Sequence, residues 1–115
     1  MKHLIFYCAF LIAVAWSVPA GTQTQVTVTH SAVNVTTSST EVLATTPIRR
    51  NLLILINDSD TVIYCNVAGG AAALNAGLRL GASGGAALFD VSVPRAKINC
   101  IHGGTGNKVM LVGEG

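Results

Sequence analysis

Residues able to do chemistry are few in this sequence, and they stand far apart. Beyond residue 20 the only histidines are His30 and His102. Neither has a His, Cys or carboxylate at the spacing that metal ligands take, so no metal site is expected. Asp58 and Asp60 are the nearest pair of carboxylates, the type used for acid/base work or calcium ligation. Their setting, Asn57-Asp58-Ser59-Asp60, is a string of residues that bond their own backbone, which reads as a tight turn instead. Gly103-Gly104-Thr105-Gly106 has the glycine density of a phosphate-cradling loop but lacks the following Lys-Ser/Thr and a strand-loop-helix context. No serine sits in Gly-x-Ser-x-Gly or has an evident histidine partner. Arg49, Arg50, Arg79 and Arg95 could contact an anion, yet separated basic spots are expected to be solvated charges at sheet edges. Asn34-Val35-Thr36 and Asn57-Asp58-Ser59 match the glycosylation acceptor pattern, which has meaning only in a eukaryotic secretory route. The expectation is a protein that is not an enzyme and binds no cofactor.

Cys65 and Cys100 are the remaining reactive types. On alternating strands Cys65 shares a face with Ile63 and Val67, and Cys100 shares one with Ile98, so both sulfurs face apolar neighbours. Two readings stay open. They form a disulfide, which requires Cα atoms about 4.4–6.8 Å apart and would stabilise the fold by about 3–4 kcal/mol, or they pack as two small buried thiols. A redox role is not expected, because there is no Cys-x-x-Cys and no adjacent base.

The elements that must carry these residues begin with the export machinery. Lys2 precedes an uncharged run, Leu4 to Trp16, which leads into Ser17-Val18-Pro19-Ala20-Gly21. A basic start, a short apolar stretch and small residues at Val18 and Ala20 are the parts of a secretory signal peptide, residues 1–20, with cleavage after Ala20. The run is too short to span a bilayer, so membrane contact is expected only through this signal segment. The full chain of 115 residues carries +2 at pH 7, with 50% hydrophobic and 10% charged residues. Lys2 is one of seven basic residues, leaving six against five acidic ones in 21–115. That balance excludes a nucleic-acid footprint, and the apolar content excludes a wholly disordered chain.

Residues 21–115 retain only Tyr64 and Phe89 as aromatics, so their core must be aliphatic, which favours thin β layers. Gln25–Thr29 and Val33–Thr36 alternate polar and apolar residues with period two, predicting strands. A Ser/Thr turn leads to a strand at Glu41–Thr45, closed by Pro47. Asn51–Ile56 is apolar at consecutive positions, predicting a central strand buried on both faces. It is expected to form a hairpin with Thr61–Val67 across Asn57–Asp60. Residues 68–87 are rich in Gly and Ala and read as short strands and tight turns, with a single helical turn as the alternative. A strand resumes at Ala87–Val91. Lys97–His102 and Lys108–Val112 are expected to pair across the glycine loop at 103–107. About eight short strands predict a single β-sandwich domain, jelly-roll or Greek-key like, over 21–115.

Three stretches read in order carry a family resemblance: Arg50 to Tyr64 with its Asn-Asp-Ser-Asp-Thr-Val-Ile-Tyr hairpin, Leu74 to Leu80, and Ile98 to Val112 followed by Gly113-Glu114-Gly115. Together they resemble a family of small tailed-phage structural proteins, head-associated, decoration or fibre-type. The resemblance implies a virion module that forms homo-oligomers or binds virion lattice proteins, with no catalysis and no cofactor. It carries no functional residue over. Capsid components assemble in the cytoplasm and have no use for an export signal, so the start departs from the family. The second expectation is therefore an exported bacterial surface or adhesion domain, periplasmic or extracellular, binding a cell-surface partner or glycan. Its small-chained 68–87 segment is expected to pack against a neighbouring subunit.

Overall fold

A computed structural model describes residues 27–115, so the signal segment expected at 1–20 lies outside the described residues. Among the described residues eight strands form, and no helix: β1 Thr29–Val35, β2 Thr40–Leu43, β3 Leu53–Asn57, β4 Ile63–Asn66, β5 Leu78–Leu80, β6 Gly85–Phe89, β7 Ile98–His102 and β8 Lys108–Glu114. They make two four-stranded antiparallel sheets with the orders β1-β8-β3-β6 and β2-β7-β4-β5. The first two strands expected from the alternation are one strand here, β1. The chain is in no regular strand at 27–28 and runs unbroken from Thr29 through His30, Ser31 and Ala32 to Val35. The Gly/Ala stretch yields a loop at 68–77 and the short β5 and β6.

Both expected hairpins are overturned. β3 and β4 lie in different sheets, as do β7 and β8, and the strands that actually adjoin β3 are β6 and β8. Six of the seven connections cross from one sheet to the other; only β4 and β5 are consecutive and paired. The physical reason sits in the connecting residues. Asn57 is wholly buried, and its side-chain amide donates to the carbonyls of Thr61 (2.7 Å) and Leu80 (3.0 Å). Its Oδ1 accepts from the Ser59 amide (3.1 Å) and hydroxyl (2.6 Å). The segment is thus an arch nailed to β5 of the opposite sheet. Backbone bonds from Gly84 to Asn57 and from Ser83 to Ser59 hold it from the other side. Gly85 starts β6 against this arch, where a Cβ would collide with the backbone of Gly81.

The core lies between the sheets. Val35, Leu53, Leu55, Met110 and Val112 face inward from one sheet, and Val42, Ile63, Cys65, Leu80, Ile98 and Cys100 from the other. All are aliphatic or sulfur-bearing, and Phe89 packs at the margin. Burial of apolar area of this kind supplies the main drive to close the two layers. Asn51–Ile56 was expected to be buried on both faces. β3 is indeed interior to its sheet, but only Leu53, Leu55 and Asn57 are buried, while Ile54 and Ile56 are half-covered on the outer side.

Arg50 departs from the solvated edge charge expected of it. It is 5% exposed, and its guanidinium bonds Glu114 (2.9 Å) and the carbonyls of Pro94 (2.8 Å) and Ala44. One planar donor group thereby ties the end of β8 to the loops that hold Ala44 and Pro94.

Candidate functional site

Cys65 and Cys100 form a disulfide between directly opposed positions on the adjacent strands β4 and β7, with Cα atoms 4.1 Å apart, slightly closer than the expected range, and a sulfur–sulfur distance of 2.08 Å. The link therefore staples neighbours inside one sheet. Sγ of Cys65 also touches Sδ of Met110 from the facing sheet at 4.0 Å, a packing contact, since a bonded sulfur has no proton to donate.

The histidines are separated. His30 is exposed on β1, an edge strand of the first sheet, whereas His102 is wholly buried at the end of β7 in the second. Nδ1 of His102 accepts from the Gly104 amide (3.1 Å), and Nε2 donates to the Gly106 carbonyl (2.7 Å), which selects the Nε2–H tautomer. The glycine loop at 103–106 is thus wrapped around an imidazole, with Gly106 at φ 71°. Its Gly104 amide is already spent on the ring. Asp60 is exposed and pairs with Lys108 (2.8 Å) while also accepting from the Thr61 hydroxyl (3.0 Å). The Lys108 bond, aided by Thr61, holds the Asp60 carboxyl below its ordinary value. Among the described residues no three His, Cys, Asp or Glu side chains converge. Asn57 of the second acceptor pattern is buried, whereas Asn34 is exposed on β1.

Two surface features remain. The first is an open cleft of about 460 Å³ lined by Asp60, Thr61, Tyr64, Leu74, Asn75 and Gly104. Tyr64 faces outward beside inward Cys65, and its hydroxyl bonds Oδ1 of Asn75 (3.0 Å), a residue in the left-handed region at φ 59°. The second is the outer face of the β1-β8-β3-β6 sheet. Register places His30, Gly113, Ile54 and Leu88 in one row across it, and Ala32, Leu111, Ile56 and Ala86 in the next. A concavity of about 380 Å³ runs over this face between His30, Ala32, Ile54, Ile56 and Leu111. The residues that build this face were visible as strand formers, but only the pairing of β1 and β6 with β8 and β3 lays them side by side.

The start of the 68–87 segment, residues 68–72, is tied down within the chain. Asn66 bonds the Ala68 amide and the Ala71 carbonyl, Asn99 reaches the Gly70 carbonyl (2.7 Å), and Ser39 accepts from the Ala72 amide (2.9 Å). Compared with protein-family models, curated proteins and solved structures, the chain matches none.

Proposed function

We propose that this chain is a non-enzymatic structural module, a virion-associated protein of the capsid-decoration or fibre type. The observation that carries the reading is the strand order. In the orders β1-β8-β3-β6 and β2-β7-β4-β5, the first strand lies beside the last and almost every connection crosses between layers. We take this wiring as a jelly roll, an architecture used by viral capsid and lectin domains. The argument is one of fold analogy, joined to the resemblance of Arg50–Tyr64 and Ile98–Val112 to tailed-phage structural proteins. The test is density-gradient purification of particles released by cells carrying the gene, followed by quantitative mass spectrometry. The chain is expected to co-band with particles in many copies each. Recovery solely as free periplasmic or secreted protein would reject the virion role.

That second outcome belongs to the alternative, an exported surface domain that binds a cell-surface partner or glycan. The cleft beside Tyr64 supports it, because an aromatic side chain, the Asn75 amide and the Asp60 carboxylate stand together on an open surface. Under either role the partner is another protein or a surface, not a nucleic acid.

A further inference from the structure

We infer that the end of the sandwich formed by the β2–β3 and β6–β7 loops docks on an anionic phospholipid bilayer, inserting Ile48 and Val91 among headgroups that Arg49, Arg95 and Lys97 hold by charge. The inference goes beyond the virion or exported role and needs neither. It rests on where the protruding aliphatic side chains and the exposed cations fall in the fold.

Val91 and Ile48 are the two most exposed large aliphatic residues among those described, at 82% and 76%. Apolar residues scattered singly over a surface need no explanation, but these two sit on loops of the same end. Register brings that end together: Leu53 lies opposite Phe89 and Glu114, and Leu43 opposite Ile98, so the loops 44–52 and 90–97 leave the two sheets side by side. Hydrogen bonds stitch them across. The Thr46 amide donates to the Arg95 carbonyl (3.1 Å), the Lys97 amide to the Thr45 hydroxyl (2.9 Å), and the Arg95 guanidinium to the Pro47 carbonyl, next to Ile48. Arg50 closes the same end from within through Pro94 and Glu114. The aliphatic tips thus stand on a tied base.

Charge is sorted along the molecule in the same sense. Of the six basic residues in the described chain, four, Arg49, Arg50, Arg95 and Lys97, lie at this end. Arg50 is matched by Glu114, whereas Arg49, Arg95 and Lys97 are exposed and meet no carboxylate among the described residues. Asp90 is the one carboxylate side chain on these two loops, so the end stays net positive. The opposite end carries the exposed Asp58 and Asp60, with Lys108 bonded to Asp60. A field of this polarity turns the tips toward an anionic surface. Shape selects a bilayer over a protein. Protein interfaces concentrate their energy in desolvated pockets, and side chains as exposed as Ile48 and Val91 have no pocket around them. A bilayer asks only for aliphatic tips with cations beside them, whose stems lie along the interface. The chain also enters the domain here, since Thr29 opens β1 opposite Glu114; the apolar run Leu4–Trp16 is therefore joined to this end when the chain is made.

The test is co-sedimentation of the full chain with vesicles, either phosphatidylglycerol and phosphatidylcholine in equal parts or phosphatidylcholine alone. Binding to the anionic vesicles is expected, weakening as salt screens the cations. Arg49→Gln, Arg95→Gln and Lys97→Gln should each lower it about fivefold. Ile48→Ser with Val91→Ser together should lower it at least about tenfold. Leu74→Ser, at an exposed site beside Gly103 at the other end, should leave it unchanged. All variants share the same leading residues, so these differences report on the loops alone, and urea midpoints confirm that each is folded. A readout needing no variant is the parent in anionic bicelles with a paramagnetic lipid, where the methyl signals of Ile48 and Val91 should broaden ahead of those of Leu74 and Leu88. No binding, equal binding to both kinds of vesicle, or binding indifferent to the serine pair would each overturn the inference. Equal binding would assign the membrane contact to the leading apolar run, and loss in the glutamine variants without loss in the serine pair would assign the end to a soluble polyanion.

Discussion

Asn57 shows how much one side chain can decide. As an exposed turn residue it would tolerate exchange, but here it is buried and uses both amide hydrogens and its oxygen. Asn57→Ala removes the side-chain donor to the buried Leu80 carbonyl and one of the two donors to the Thr61 carbonyl, the other being the Ser59 hydroxyl. A loss of about 2–4 kcal/mol is expected, read from urea unfolding. Asp60 supplies a milder, pH-dependent case. Its folded carboxyl titrates below the ordinary 3.8 because Lys108 bonds it, so the unfolded chain binds the proton more readily in acid. The pair's contribution is therefore present above the unfolded value and disappears as pH falls through the depressed folded one. Asp60→Asn should lower the urea midpoint slightly at pH 7, with the two proteins converging once the pH is below that folded value. A gap that persists in acid would mean the carboxylate acts through something other than its charge. The turn-forming chemistry of Asn57, Ser59 and Asp60 was legible from residue type alone. That His102 and Arg50 would be buried was not: Arg50 is held by Pro94 and Glu114, 44 and 64 residues away, and His102 is held by backbone groups of Gly104 and Gly106, which residue type does not announce.

At the level of elements, apolar patterning located seven of the strand regions and named the inward faces of β4 and β7, but read β3 as buried on both faces. It misassigned which strand bonds which. Alternation fixes the face a side chain takes, and a turn signal fixes where the direction changes, but a reversal within one sheet and an arch between two sheets begin with the same residues. The β4–β7 staple is testable at this scale. The paired replacement Cys65→Ala with Cys100→Ala opens a cross-link between residues 35 apart. It should cost about 3–4 kcal/mol by the chain-entropy argument, read as a fall in the urea midpoint, and reductant should shift the parent toward the double variant. A parent unaffected by reductant under unfolding conditions would show that the thiols are free in the purified protein.

For the whole molecule, the compartment and the assembly are the open dimensions, and they are separable. Intact-mass measurement of the exported product is expected to find Gly21 at the start, and retention of Met1 would remove the secretory role. Composition and patterning were enough to define an aliphatic, all-β, single-core chain with few reactive groups, since those properties follow from side-chain type and from a two-residue period that needs no partner. Tertiary structure alone decided the strand order, the arch at Asn57, the burial of Arg50 and His102, and the gathering of Ile54, Ile56, Leu88 and Leu111 onto one uncharged face. Each of these depends on contacts between residues tens of positions apart, and period-two alternation specifies a face for each residue without naming the strand that will lie beside it.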